Sequence, residues 1–358
     1  MKCFNDYIVD TQVLKDNIGK IKIHVGRQTK ICAVVKANAY GVGMHTVCKA
    51  LKGRVDFFAC ACVKEALNIR VYDKETPVLI LGAVDISSID CIVENNISIS
   101  VGSIDFLNDL VKIRKMIKIH LQINTGLNRF GFKKIRDFKR ALKLCLNSDN
   151  LVLEGVYSHF ATKKNDTVFM GKQYLRFLQF KRYVKDSSVI FHISNSFATE
   201  CFSSYHFDMV RVGMVLYGFL PNKLETKPIA TIKSKIVHVV NLKKGDSVGY
   251  DRTFVASKNM IIGVVPVGYA DGMNRLLSNK AKVLVNGAWC KVLGMICMDV
   301  FMVDLSNIDA QVGSSVVILG DDKGKTINVN DYAKIIKTSP YEIICSFKYN
   351  RMNYIVKD

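Results

Sequence analysis

Eight short apolar runs, separated by helix-like stretches, restrict what this chain can fold into more than any other feature. They are ICAVVK (31–36), DFFACAC (56–62), PVLILG (77–82), ISISVG (97–102), IKIHLQIN (117–124), LVLEGVY (151–157), VIFHI (189–193) and DMVRVG (208–213). Most are nearly continuous in Val, Ile and Leu, as strands buried on both faces should be. The intervals are amphipathic, with Tyr174, Phe177 and Leu178 in MGKQYLRFLQFKRYV as one example. Eight strand–helix units in sequence predict an α/β fold, a (β/α)8 barrel of the TIM type. A doubly wound sheet would use the same units, but the GxGxxG turn that such sheets carry is missing, so the barrel is favoured.

The pattern changes after Pro221 and Pro228. From Ile229 the text reads as strands and turns: IATIKSKIVHVVNL, VGYDRTF, MIIGVVPVG, AKVLVNG, CKVLGMICM and FMVDL, with only NDYAKIIKT (330–338) helical. A barrel domain over 1–228 and a mostly β domain over 229–358 are therefore expected.

Composition narrows the function classes. Of 358 residues 49% are hydrophobic and 23% charged, which suits a folded chain and not a disordered one. The net charge of +20 invites a nucleic-acid reading. The basic residues are spread, however, and in KKIRDFKRALK (133–143) they lie opposite an apolar stripe, as on a solvated helix face. No specific nucleic-acid partner is expected, although a small anionic ligand would be attracted. The start, MKCFNDYIVD, lacks the apolar run of a signal peptide, and no stretch reads as a membrane span, so a cytoplasmic protein is expected. The eleven cysteines, from Cys3 to Cys345, form no CxxC and the seven histidines no HxxxH, so neither a metal site nor a disulfide framework is expected.

In such a barrel, functional groups gather at the carboxyl ends of the strands. Lys36 ends ICAVVK and precedes the glycine-punctuated loop ANAYGVG. Desolvation there would disfavour its charged form and make the amine nucleophilic, as a Schiff-base lysine requires. A salt-bridged rim lysine is the plainer alternative. Arg129 follows INTG, His159 closes GVYSH, Asn195 and Ser196 follow FHI, and Arg211 sits in DMVRVG. Together these groups read as a pocket for a phosphorylated aromatic cofactor.

AVVKANAYGVG (33–43) resembles the pyridoxal-phosphate lysine motif of alanine racemases. INTGLNRFGF (123–132), EGVYSHFAT (154–162), ISNS (193–196), FDMVRVGMVLYG (207–218), VGYDRTF (248–254), PVGYADGMNR (266–275), GMICMDVFMVDL (294–305) and PYEIIC (340–345) have counterparts in the same order. The resemblance implies a homodimer of barrel-plus-β subunits that racemises a small amino acid, alanine first and serine as the alternative. Lys36 would hold pyridoxal 5'-phosphate and act as one base; Tyr250, from the partner subunit, would be the opposite base. Arg211 would meet the pyridine nitrogen and His159 would pack near the ring. Tyr40, Asn195, Ser196, Gly213, Met214 and Tyr349 would surround the phosphate end. Arg129 would approach the substrate carboxylate, Met298 and Asp299 would close the substrate side from the partner, and Tyr269, with Arg275, would line the access passage.

The sequence also departs from the family. Gln122 stands where a carbamylated lysine often orients the arginine, leaving the amide oxygen or an anion to hold Arg129. Asn124 replaces an aspartate, Val212 a proline, Met295 an arginine and Val300 a glutamine, and an arginine–proline pattern after Cys345 has become YNRMNY. A basic-amino-acid decarboxylase of similar architecture would call for an acidic group where Arg211 stands. A noncatalytic pyridoxal-phosphate carrier would leave the second domain without a purpose.

Overall fold

The computed structural model describes residues 4–162 and 166–358; Cys3 lies outside them. A strand that the apolar runs did not announce, β1 (Asp6–Asp10), comes first. The eight expected strands follow as β2 (Lys30–Val34), β3 (Phe57–Cys60), β4 (Val78–Ile80), β5 (Ile97–Val101), β6 (Ile117–Gln122), β7 (Leu151–Tyr157), β8 (Ile190–His192) and β9 (Met209–Val212). Neighbours from β2 to β8 pair in parallel, and β9 returns to lie parallel to β2. Hydrogen bonds close the seam between β8 and β9: Asp208 N–H donates to Phe191 O at 3.1 Å and Arg211 N–H to Ser194 O at 3.0 Å. All residues of β3, β4, β5 and β9 are buried, as expected of strands covered on both faces; ISISV in β5 alternates in residue type, but its serines are buried as well.

The remaining strands are β10 (Ala230–Lys235), β11 (His238–Leu242), β12 (Ser247–Val248), β13 (Phe254–Val255), β14 (Met260–Val265), β15 (Lys282–Val285), β16 (Ala288–Leu293), β17 (Phe301–Asp304), β18 (Ser315–Asp322), β19 (Lys325–Ile327) and β20 (Asn353–Lys357). They form a second sheet in the order β11-β14-β17-β16-β15-β18-β10-β1-β20, with β19 beside β18, while β12 and β13 pair as a separate ribbon. The first strand of the chain therefore lies in the second sheet, antiparallel to β10 and parallel to β20. The reading of residues 1–228 as one unit did not anticipate this. DYIVD is short and flanked by aspartates, and only Tyr7 and Val9 turn inward, a weak alternation. The helix Pro340–Ser346 was also missed; Pro340 at its start and the Ser339 cap were its signal.

One buried amide ties the first helix, Thr11–Val25, to the crossing between the units. Asn17 Nδ2 donates to Leu216 O at 2.9 Å and Lys227 O at 2.8 Å, and Oδ1 accepts from Lys227 N–H at 2.9 Å. Among the described residues no helix is long and apolar enough to cross a membrane, and no three metal-ligating side chains gather as a metal site. Asn17→Ala strands the three backbone partners and is expected to cost about 2–3 kcal/mol, read as a lowered urea midpoint with an unchanged slope.

Candidate active site

Lys36 leaves the end of β2 into a turn that ordinary residues avoid. Ala37, Asn38, Ala39 and Tyr40 all have φ between 52° and 57°, a left-handed helical turn. Each such residue costs on the order of 1 kcal/mol, so the surroundings must hold the turn. Ala37 N–H donates to Glu65 Oε1 at 2.7 Å, Asn38 Oδ1 accepts from Met44 N–H at 2.8 Å, and Gly43 N–H donates to Asn38 O at 3.0 Å. From the second unit, Tyr354 Oη donates to Val42 O at 2.8 Å.

The turn opens on a cavity of about 650 Å³ at the mouth of the barrel. Lys36, Tyr40, Arg129, His159, Asn195, Ser196, Arg211 and Gly213 line it, so eight residues expected at the site share one space. No carboxylate is among the lining residues. Burial lowers the pKa of Lys36, the neighbouring Arg129 lowers it further, and Glu65 and Cys345 only partly oppose this. The result is the depressed amine that nucleophilic chemistry needs.

Arg211 is buried and rises from β9 against the stacked pair of Tyr157 and His192. Nη1 donates to His192 Nδ1 at 2.6 Å; Nη2 donates to Ser158 O at 2.7 Å and His159 Nδ1 at 3.2 Å. A guanidinium has no lone pair to offer, so both imidazoles must present a bare Nδ1 to it. Burial first, then Arg211, Arg129 and Lys36, push the pKa of His159 down to about 3.

The other end of the cavity is neutral. Ser196 Oγ accepts from Gly213 N–H at 3.0 Å and Val215 N–H at 3.4 Å, leaving its own proton to donate. A Cβ on Gly213 would lie 2.7 Å from Tyr40 Oη, so only glycine lets that phenol approach. Asn195 lines the cavity but spends its amide oxygen on Ala198 N–H, capping the short helix that begins at Ser196.

Other expectations need correction. Tyr349 does not line the cavity; it packs on Tyr7 and Tyr354, with centroids 6.2 and 4.7 Å away. Tyr341 takes the place expected for it: it lines the cavity and its ring centroid is 5.4 Å from that of Tyr40. The PYEIIC motif contained the signal, and the altered YNRMNY text drew the assignment away from it. Met214 lines a neighbouring cavity that shares Asn195, Ser196 and Tyr341. The amide oxygen of Gln122 does not hold Arg129; it accepts from Ser100 Oγ at 3.3 Å, and Arg129 makes no ion pair among the described residues. Asn124 instead shapes the loop before Arg129, its Oδ1 accepting from Gly126 N–H and Asn128 N–H at 3.1 Å. Gln173, fully buried and given no role by the sequence, pins the strand-end segment by accepting from Ala161 N–H and donating to His159 O.

Tyr250, Tyr269, Arg275, Met298 and Asp299 lie outside this cavity, on the second unit. Tyr250 is 64% exposed, Met298 53% and Tyr269 43%. Arg275 faces Asp251 at 3.9 Å, and Asp299 Oδ1 accepts from Arg351 at 2.6 Å.

A depressed lysine at a barrel mouth, a buried arginine in the same cavity and the Ser196 hydroxyl with its proton left to donate suit an aromatic aldehyde phosphate. They define the class of enzymes that hold pyridoxal phosphate on a lysine. More narrowly, the chain belongs to the alanine racemase family: residues 9–221 match the family model for the alanine racemase N-terminal domain and 229–355 that for the C-terminal domain. It is 36% identical over 352 residues to alanine racemase 2 of Caldanaerobacter subterraneus subsp. tengcongensis, covering 94% of this chain and 91% of that protein. It is 33% identical to the alanine racemase of Methanococcus maripaludis, covering 94% of each. Among solved structures, alanine racemase from E. faecalis superposes with a TM-score of 0.94 at 30% identity, covering 99% of this chain and 98% of that one. The Bacillus anthracis alanine racemase with bound L-Ala-P gives 0.93 at 29% identity, covering 100% and 96%.

A histidine kept neutral by burial makes stability depend on pH with a definite sign. Between about 3 and the ordinary histidine value of 6.5 the unfolded chain holds a proton that folded His159 refuses, so stability falls as pH drops through that window. Above 6.5 both states are neutral and the dependence vanishes. His159→Gln is expected to flatten the acid limb by up to about 1.4 kcal/mol per pH unit, measured by urea unfolding at successive pH values.

Proposed function

We propose that this protein holds pyridoxal 5'-phosphate on Lys36 and interconverts L-alanine and D-alanine, as a homodimer whose active sites are shared. The observation that carries the reading is the convergence of Lys36, Arg129 and Arg211 in a cavity without a carboxylate, with Tyr40, Ser196, Gly213 and Tyr341 around it. When bound there, the cofactor supplies an electron sink that makes the Cα proton of an amino acid removable.

The chain's own groups do the rest. Arg129 is the cation available for the substrate carboxylate. The amine of Lys36, its ammonium form disfavoured by burial and by Arg129, takes or gives the Cα proton on one face. Inversion needs a second proton carrier on the other face. The exposure of Tyr250, outside the cavity of its own chain, suits a phenol that serves another chain. Met298, Asp299 and Tyr269, on the same unit, complete the substrate side and its access passage in the same way. Arg211 would face the ring nitrogen as a donor that does not yield its proton, which would keep the electron sink modest and favour return of a proton to Cα.

The same reading takes 1–228 and 229–358 as the two working units and assigns the protein to the cytoplasm, supplying D-alanine for peptidoglycan. Chiral chromatography of L-alanine incubated with protein and cofactor tests it; D-alanine is the expected product, and a faster L-serine reaction would change the substrate while keeping the chemistry. Lys36→Ala and Tyr250→Phe are each expected to lose more than about 99% of activity. Mixed and allowed to exchange subunits, the two inactive variants should regain about a quarter of wild-type activity, because hybrid dimers hold one intact site. No recovery despite exchange would place Lys36 and Tyr250 of one active site on the same chain.

A further inference from the structure

Arg211 is a buried cation with no carboxylate in contact among the described residues. Such a charge is costly unless it is compensated. Its compensation lies deeper in the barrel. His192 receives Arg211 on Nδ1, and its Nε2 lies 2.9 Å from His120 Nδ1. His120 Nε2 lies 3.0 Å from Glu154 Oε2. Both imidazoles are fully buried, and Glu154 also accepts from Ser98 Oγ.

Because Arg211 can only donate, every later proton in this chain is fixed. His192 must carry its proton on Nε2 and donate it to His120 Nδ1. His120 must then carry its single proton on Nε2 and donate it to Glu154. Two neutral imidazoles thus connect a guanidinium to a carboxylate that it does not touch. Burial pulls the pKa of Glu154 upward, but the bonds from His120 and Ser98 outweigh it and hold it below the usual range, so the acceptor end is ionised.

The backbone is built around this line. The register of β6 on β7 shifts between Ile119, paired with Leu153, and His120, paired with Gly155, so Glu154 is the extra residue of a bulge. A Cβ on residue 155 would lie 2.3 Å from His120 Nδ1, so the glycine makes room for the ring. Barrel interiors are ordinarily filled with branched apolar side chains; here a bulge, a glycine, two histidines and a carboxylate replace them.

We propose that His120 and Glu154 are positioning residues of the active site, acting through His192 to orient Arg211 and to supply its counter-charge from a distance. A carboxylate in direct contact would compete with the cavity for the guanidinium; one relayed through two rings offsets the charge and leaves the arginine facing its ligand. The proposal rests on the reading of Arg211 as the partner of the cofactor's ring nitrogen.

Two measurements test it. Neutron diffraction from deuterium-exchanged crystals of the holoenzyme should show deuterium on Nε2 and none on Nδ1 of both His120 and His192. Glu154→Leu, which removes the acceptor, should lower kcat for alanine by about tenfold or more with KM within about twofold, the range expected for partners one shell out. Glu154→Gln, which keeps an acceptor without the charge, should fall between that variant and wild type. Deuterium on His192 Nδ1, or wild-type kcat in Glu154→Leu, would overturn the proposal. The neutron result does not depend on turnover: both Nε2 deuterons in a protein that does not racemise alanine would retract the proposed function and leave the hydrogen-bond chain standing.

Discussion

Positive charge with no carboxylate beside it, gathered in one desolvated cavity, is the constraint on which the rest of this structure turns. Lys36, Arg129 and Arg211 line a common space that contains no carboxylate. In water three such charges would be cheap, but at a barrel mouth the local dielectric is lower and their repulsion is felt. The consequences are visible in the neighbours: the lysine gives up its proton more readily, and His159 and His192 are held neutral. A ligand that brings a phosphate and a substrate that brings a carboxylate relieve the repulsion, so the cavity is complementary to what it is proposed to bind.

Holding those charges in place requires rigid backbone, and the left-handed turn after Lys36 is the clearest case. Four non-glycine residues in that conformation store strain that a free peptide would release at once. The barrel contributes Glu65 from the helix after β3, and the second unit contributes Tyr354, which donates to Val42 O and accepts from Thr46 Oγ1, each at 2.8 Å. Strand β20 therefore does more than extend a sheet, since the residue that braces the lysine loop grows from it. Because β1 pairs directly with β20, both ends of the chain take part in fixing the same loop.

The barrel could be read from the sequence because burial on both faces leaves runs that are mostly apolar, and all eight runs proved to be barrel strands. The strand ends carrying Lys36, His159, Ser196 and Arg211 were legible for the same reason: a polar residue closing such a run has to face the mouth. β1 was not legible, because its alternation spans only five residues between aspartates. Tyr341 and Tyr349 were confused because they lie close together in tyrosine-containing text, Tyr341 within the helix Pro340–Ser346 and Tyr349 just after it, and only tertiary packing tells which ring reaches Tyr40. The line from Arg211 to Glu154 was invisible in sequence: His120, Glu154 and His192 lie on three strands, and a bulge, which no pattern of residue types announces, brings them into register.

The central claim is that racemisation at this site uses two different groups on opposite faces of Cα, one removing its proton while the other delivers a new one. The most direct measurement is the deuterium content of alanine at early conversion in D2O, starting from L-alanine. Two bases require D-alanine that carries solvent deuterium at Cα, while the L-alanine left behind stays largely protiated. D-alanine that retains the original protium, or equal deuterium in both enantiomers from the first turnovers, would mean that a single group serves both faces and would contradict the account.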